Sequence, residues 1–130
     1  MQSIVGWMKA NPAAATELMQ ENLSYIFFKV LNGPGPLGAL GIPVTPRATV
    51  AADPNFIPLG APVMLALDRP EAWGLWVAQD TGGAIKGANR VDTFWGAGDE
   101  ARRIAGGMSA SGVAYILLPK GAGARAAAQH

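Results

Sequence analysis

Glycine and proline recur along most of this chain, with 17 glycines and 10 prolines among its 130 residues. Both residues mark turns, so this composition favours many turns and short strands. Short runs rich in apolar, β-branched or aromatic residues predict strands at residues 25–30, 49–52, 63–67, 74–78 and 112–118. The sequence therefore indicates a mainly β fold, built as a small closed or half-closed barrel with one to three short helices.

Helices are predicted near the start of the chain and again near residue 100. Apolar residues recur at roughly helical spacing in the N-terminal segment, where Asn11 followed by Pro12 is typical of an N-cap and first helical turn. We therefore expect two short helices, the second ending near Asn22. A third is expected at residues 99–104, where two acidic residues lie at the helix N-terminus.

The composition excludes several functional classes. A net charge of +1 without a basic run gives no reason to propose a nucleic-acid partner. Cysteine is absent, which excludes disulfides, thiol catalysis and zinc–cysteine sites. The single histidine, His130, is the last residue, so a His-based metal site or a Ser-His triad is not expected. The sequence predicts neither a bound metal nor a cofactor.

The surface is expected to be poor in charge. Charged residues make up 15% of the chain, against roughly 25% in ordinary domains, so some apolar surface should meet a partner domain or a ligand. Neither a membrane-spanning run nor a signal peptide is predicted in the chain. We expect residues 1–119 to form one domain and residues 120–130, rich in glycine, alanine and arginine, to form a flexible tail.

Asp80 is the best candidate for a catalytic residue. It follows the apolar run at residues 75–78 and opens a glycine-rich loop at residues 82–87, where a substrate can approach closely. Partial burial by the strand would favour the protonated carboxyl group, which a general acid needs near neutral pH. The alternative is that Asp80 only caps the turn by accepting hydrogen bonds from loop amides.

Two further aspartates lie in similar settings. Asp53 ends an apolar run and begins an Asp-Pro-Asn segment, and Asp92 lies within Arg-Val-Asp-Thr-Phe. We expect both to converge on Asp80 as hydrogen-bond partners or electrostatic support. Asp53 could instead only form a turn, and Asp92 could only pair with Arg90 or Lys86.

Several motifs occur together in an order that one known family shares. They are Asp-Pro-Asn-Phe-Ile-Pro-Leu-Gly at 53–60, Asp-Thr-Gly-Gly-Ala-Ile-Lys-Gly at 80–87, Asp-Thr-Phe-Trp-Gly at 92–96 and Gly-Asp-Glu-Ala at 98–101. With the upstream segments at 22–28 and 33–41, they resemble the three-aspartate domain of the membrane-bound lytic murein transglycosylase A family. The resemblance covers most of the chain, from residue 2 to residue 119.

This resemblance implies a six-stranded double-psi β-barrel and an enzyme that cleaves peptidoglycan without consuming water. The family's acid, carried over to Asp80, protonates the glycosidic oxygen between N-acetylmuramic acid and N-acetylglucosamine. The same carboxylate then takes the proton of the muramic C6 hydroxyl as a 1,6-anhydro end forms. The implied location is the periplasm, in association with the outer membrane.

Further groups near the aspartates are candidate substrate contacts or supports, namely Gly82, Gly83, Ala84, Lys86 and Trp95. The loop amides could donate hydrogen bonds near the reacting oxygens. The lysine could bind acyl or peptide groups, although a solvated loop lysine is the commoner case. Trp95 could stack on a sugar ring, whereas Trp76 alternates within a strand and is expected in the core.

The family's glycan lies in a groove between the barrel and a second, inserted domain. Since that facing wall is not in this sequence, the resemblance implies either a missing N-terminal or inserted domain as partner, or self-association as a homodimer.

Two other functions fit parts of the sequence. Asp-Thr-Gly at 80–82 is the catalytic tripeptide of aspartic proteases, which a short chain could assemble as a symmetric dimer. Against this, Gly83 stands where that class has alanine or serine. The other alternative is a non-catalytic cell-wall glycan binder similar to expansins. A turnover assay on peptide and on murein separates these possibilities.

Overall fold

The computed structural model describes residues 2–24, 27–28 and 30–122, and the chain divides into two units, Met1–Asn32 and Gly33–His130. The first unit contains α1 (Gln2–Ala10) and α2 (Pro12–Gln20), which confirms the two predicted helices. Pro12 lies in the first turn of α2, as expected. Asn11 makes no side-chain cap; its side-chain amide donates instead to the Trp7 carbonyl at 2.9 Å.

Large apolar side chains of the first unit are exposed. They include Ile4, Leu18 and Met19 of the helices, and Leu23, Phe27 and Phe28 beyond them. The predicted strand at residues 25–30 includes Tyr25, Ile26 and Lys29, which lie outside the described residues, so that strand stays a prediction.

The second unit is organised around one mixed sheet. Its strands are β1 (Thr49–Ala52), β2 (Pro62–Leu67), β3 (Gly74–Asp80), β4 (Val91–Thr93) and β5 (Gly112–Ile116), and its helix is α3 (Asp99–Gly106). Their order across the sheet is β4-β1-β3-β2-β5. β1 and β3 are parallel, and the remaining neighbours are antiparallel.

The mainly β fold with three helices is confirmed. The strands predicted at residues 49–52, 63–67, 74–78 and 112–118 are present, with ends that differ by no more than two residues. β4 was missed because three residues with a central carboxylate give too little pattern to predict a strand. The described part of the chain forms five strands, so six-stranded double-psi closure stays a prediction, and the predicted tail at 120–130 lies mostly outside the described residues.

The sheet is curled, because strands at its two opposite edges line one open cavity of about 840 Å³. Buried residues form the core of this unit. They are Val50, Ala52, Ile57, Val63, Leu65, Ala72, Trp76, Ala78, Trp95 and Ala101. Trp76 is 3% exposed, which confirms the core position predicted for it.

One face of β3, β2 and β5 is apolar but exposed. Met64 pairs with Leu75 on one side and with Tyr115 on the other, so the three side chains share a face. Leu75 and Tyr115 are both more than half exposed. This agrees with the expectation of a surface poor in charge. Across the described residues, the helices are too short or too polar to cross a lipid bilayer.

Candidate active site

Asp80 and Asp92 lie on the two strands that flank β1. In the sheet register, Ala51 pairs with Asp80 of β3 on one side and with Asp92 of β4 on the other. Two strand spacings separate the aspartates, which corresponds to about 10 Å between their Cα atoms. Both residues line a pocket of about 270 Å³, together with Thr81 and Gly82. The structure thus brings the predicted acid and one predicted supporting carboxylate to the same pocket.

A loop at residues 36–44 holds the side chain of Asp80. The backbone N–H of Ala39 donates to Asp80 Oδ1 at 3.0 Å. The backbone of Gly38 packs against Gln79, the residue of β3 that precedes Asp80. A Cβ atom at Gly38 would lie 2.4 Å from the Gln79 carbonyl oxygen. Only glycine permits so close an approach. The loop therefore depends on Gly38 to place its amide donor on the carboxylate.

The other oxygen of Asp80 stays accessible. Oδ2 makes no hydrogen bond within the described part of the chain. In that part of the chain, every fully buried side-chain nitrogen or oxygen has a hydrogen-bond partner. Because Oδ2 has no partner, it is not fully buried and must reach solvent. The carboxyl group is thus fixed through one oxygen, its other oxygen is accessible, and the residue lines the pocket. That arrangement suits proton transfer to a ligand.

Two polar side chains stabilise the end of β3 next to Asp80. The buried Thr49 hydroxyl donates to Gln79 Oε1 and accepts the Thr45 N–H at 2.9 Å. Because the bond between Thr49 and Gln79 joins β1 to β3 one residue before Asp80, it limits movement of the strand end. Sequence reasoning missed both Thr49 and Gln79, since neither residue type nor local spacing distinguishes them from other strand residues.

Asp53 has a different role from Asp80. It is 4% exposed, and its Oδ2 accepts the Gly87 N–H at 2.9 Å. Its Oδ1 accepts the Asn55 backbone N–H at 3.1 Å and the Asn55 side-chain amide at 2.9 Å. The amides of Gly87 and Asn55, helped by the charge of Lys86, hold the pKa of Asp53 below its usual value despite burial. Asp53 is therefore an ionised clamp on the glycine-rich loop, and it is unsuited to donate a proton.

The glycine-rich loop turns tightly just after Asp80. The Ile85 N–H donates to the Gly82 carbonyl at 3.0 Å, and Ile85 is buried. A Cβ atom at Gly82 would lie 2.7 Å from Ile85 Cγ1, so the turn requires glycine there. The backbone amides of Gly82, Gly83 and Ala84 have no acceptor among the described residues. They remain available to a ligand, and Gly82 also lines the pocket.

Asp92 and Lys86 are exposed in the described structure. The ion pairs among the described residues do not involve Asp92, so it forms no bridge with Arg90 or Lys86. Asp92 lines both the Asp80 pocket and the 840 Å³ cavity, so it lies where the two concave surfaces meet. Lys86 contributes its charge near Asp53 rather than to the pocket lining.

Trp95 is a core residue, and this burial disfavours the predicted stacking on a sugar, which stays a prediction. It is 7% exposed, and its ring packs edge-to-face against Trp76 with centroids 5.6 Å apart. Its Nε1 donates to Thr93 Oγ1 at 2.8 Å, and the Arg47 guanidinium lies 5.7 Å from the ring centroid. Stacking on a pyranose needs an open ring face, and only a small part of Trp95 is exposed where it lines the 840 Å³ cavity.

Groups of three or more metal-ligating side chains are not found close together in the described residues. The three aspartates in particular do not converge on one point, because Asp53 faces the amides of Gly87 and Asn55. Within the described residues, the site contains one accessible carboxyl group, a second carboxylate and unbonded backbone amides.

Comparisons with known proteins find a matching family model and similar proteins. The family model of the 3D domain matches residues 48–118, more than half of the chain. The membrane-bound lytic murein transglycosylase A of Vibrio cholerae is 35% identical over 116 residues, covering 82% of this chain and 31% of that protein.

Solved structures of proteins with the same family name are also similar to this chain. The crystal structure of MltA from Neisseria gonorrhoeae is 45% identical, with a TM-score of 0.76, over 92% of this chain and 32% of that one. The crystal structure of E. coli MltA with bound chitohexaose is 35% identical, with a TM-score of 0.68, over 81% of this chain and 34% of that one. The chain thus spans about a third of the length of these relatives.

Proposed function

Because this chain belongs to the 3D domain family, we propose that it carries the acid of a peptidoglycan lytic transglycosylase, and that this acid is Asp80. The observation that carries the proposal is the accessible Oδ2 of Asp80 in a pocket shared with Asp92. Relatives named lytic murein transglycosylase support the reaction class. The relative with bound chitohexaose supports an oligosaccharide ligand.

In the proposed reaction, Asp80 gives its proton to the glycosidic oxygen between N-acetylmuramic acid and N-acetylglucosamine, and the C1–O bond breaks. The resulting carboxylate takes the proton of the muramic C6 hydroxyl, whose oxygen bonds to C1. The products are a 1,6-anhydromuramic end and a free C4 hydroxyl on N-acetylglucosamine. Asp80 regains its proton, no water is consumed, and no cofactor takes part.

The neighbouring groups would stabilise the charge that develops. Positive charge accumulates near C1 as the bond breaks, and the Asp92 carboxylate, about two strand spacings from Asp80, can offset it. The unbonded amides of Gly82, Gly83 and Ala84 are donors for sugar hydroxyl or N-acetyl oxygens. Lys86 is a candidate contact for acyl or peptide groups at the pocket rim.

The ligand groove is proposed to need a second wall. The Asp80 pocket is small, and the 840 Å³ cavity beside it is open between β4 and β5. A missing N-terminal or inserted domain, or a second copy of the chain, would supply that wall and complete a six-stranded double-psi barrel. We also propose a periplasmic location associated with the outer membrane, supported by the words "membrane-bound" in the relatives' names.

Mass analysis of murein digests tests the function directly. Purified murein is incubated with the chain alone, and in a parallel reaction with the chain plus a separately produced domain that could form the second wall of the groove. The expected products carry 1,6-anhydromuramic ends and are 18 Da lighter than their hydrolysed equivalents, because no water is added. Reducing muramic ends would indicate a hydrolase and contradict the proposal. Cleavage of peptides instead of glycans would favour the aspartic protease, and binding without turnover in both preparations would favour the cell-wall binder.

A further inference from the structure

The two oxygens of Asp80 have different surroundings, and only one of them is held by the protein. We propose that the Ala39 amide decides which oxygen carries the transferable proton: Oδ1 accepts the amide, and Oδ2 carries the proton into the pocket. Ala39 is then a positioning residue that acts through its backbone. The inference rests on the proposed function, because it names the reacting atom of the proposed acid.

The assignment follows from hydrogen-bond chemistry. In a protonated carboxyl group the carbonyl oxygen is a better acceptor than the hydroxyl oxygen, so an N–H donor pairs with the oxygen that lacks the proton. The Ala39 N–H lies 3.0 Å from Oδ1. The proton is therefore favoured on Oδ2, which is the oxygen that reaches solvent and can meet a glycosidic oxygen.

The loop that carries Ala39 is fixed on β3. The Gly41 N–H donates to the Gly38 carbonyl at 2.9 Å, which closes a turn around Ala39. The Leu40 N–H donates to the Gln79 carbonyl at 3.3 Å, so the turn is tied to the residue just before Asp80. The amide direction is thus set by the backbone and does not depend on any side chain of the loop.

Few charged groups lie close enough to act on the Asp80 carboxyl group alongside the Ala39 amide. Loop 36–44 has no titratable side chain, and β1 presents Thr49 and Ala51 to the pocket. Asp92 on β4 is the other charged residue that lines the pocket within the described chain. Lys86 lies in the glycine-rich loop, and its charge acts on Asp53.

A proline at position 39 removes the donor with little change to the turn. Ala39 is the second residue of the turn closed by Gly38 and Gly41, a position that proline favours. Ala39→Pro therefore deletes the N–H, and Ala39→Ser is the matched control that keeps it. Both variants are assayed on murein, with the second wall present if the wild-type chain requires it.

The expected result for Ala39→Pro is a kcat reduced about tenfold with the KM for murein fragments nearly unchanged, because the amide orients the acid and does not bind the glycan. Ala39→Ser should match the wild type in both quantities. A wild-type kcat in Ala39→Pro would overturn the inference, and so would an equal fall of kcat in Ala39→Ser, since the latter variant keeps the donor.

A second measurement needs no proline variant. In ¹H–¹⁵N spectra, the Ala39 amide resonance should move between the wild-type protein and Asp80→Asn, because the substitution replaces the group that accepts this N–H. The Gly41 amide, bonded to a carbonyl, should serve as an unresponsive reference. An Ala39 amide resonance at the same position in both proteins would overturn the inference even if murein is cleaved. Absence of cleavage in a wild-type protein that shows the expected Ala39 difference would instead contradict the proposed function.

Discussion

The carboxylate of Asp53 accepts the backbone N–H of Gly87 at 2.9 Å, which joins the end of β1 to the loop that follows β3. The same carboxylate also accepts two hydrogen bonds from Asn55. The loop after the proposed acid is therefore held in place by a charged group that takes no part in proton transfer.

Asp53→Asn should lower the melting temperature at neutral pH and weaken murein cleavage, since an amide accepts the Gly87 and Asn55 bonds less well. The pH dependence has a defined sign. The folded protein holds the pKa of Asp53 below its ordinary value of 3.8. The ionised Asp53 carboxylate therefore stabilises the folded protein fully above pH 3.8. This stabilisation is lost as the pH falls through the lower pKa that Asp53 has in the folded protein.

Thermal unfolding between pH 7 and pH 2 tests this. The gap between wild type and Asp53→Asn should shrink below about pH 4. Asp99→Asn is the matched control, because the Asp99 side chain is 99% exposed. A gap of constant size down to pH 2 would show that the lost stability does not come from an ionised Asp53.

Asp80→Asn should keep the fold and lose all cleavage, because an amide cannot donate and then accept the proton. Asp92→Asn should retain partial activity, with a rate lowered by about 10- to 100-fold, since it removes only charge stabilisation. Product formation per unit time on murein measures both. Substantial activity in Asp80→Asn, or equal severity in the two variants, would move the acid away from Asp80.

Gly38→Ala should destabilise the protein and reduce cleavage together. The added Cβ would lie 2.4 Å from the Gln79 carbonyl oxygen, so the loop must move away from β3 and take the Ala39 amide with it. We expect a cost of about 1–3 kcal/mol in the free energy of unfolding. Gly33→Ala is the control, because no atom lies within 4 Å of its added Cβ. Equal effects of the two substitutions would disprove the close-approach argument.

Trp95→Phe should lower stability while leaving the KM for murein fragments nearly unchanged. It removes the bond to Thr93 and part of the contact with Trp76, both of which lie in the core. Denaturant unfolding and steady-state kinetics separate the two effects. A selective rise in KM at normal stability would restore the sugar-stacking role. Trp73→Phe is a useful comparison, since Trp73 is 61% exposed.

The chain alone should cleave murein weakly, since a one-sided groove orients a glycan poorly. The exposed apolar residues Leu75 and Tyr115 on the sheet, and Trp7 on α1, should favour a covering partner. We expect either a dimer in analytical ultracentrifugation or stimulation when the remaining part of a longer relative is added as a separate chain. A monomer with full activity on its own would contradict both outcomes.

Local features of the sequence single out Asp80 as the candidate acid but do not give its environment. Asp80 stands out because a strand pattern ends there and a glycine-rich loop begins. The contact of Asp80 with Ala39 was not predictable, because the two residues are 41 positions apart. A backbone amide is also common to all residues except proline, so the residue type gives no sign that it donates this bond. The same limit explains Trp95: its place after a polar motif suggested an exposed ring, whereas packing against Trp76 decided its burial.

The hydrogen bonds that shape the pocket join distant parts of the chain: 41 positions separate Ala39 from Asp80, and 34 separate Asp53 from Gly87. The parallel pairing of β1 with β3 adds a third non-local link. Such contacts form late and slowly during folding, because long segments must be ordered before any of them is gained. A partly folded chain would therefore have the residues of its strands but would not hold the proposed acid, Asp80, in its orientation. Recovery of cleavage during refolding should follow the formation of the sheet rather than that of the helices.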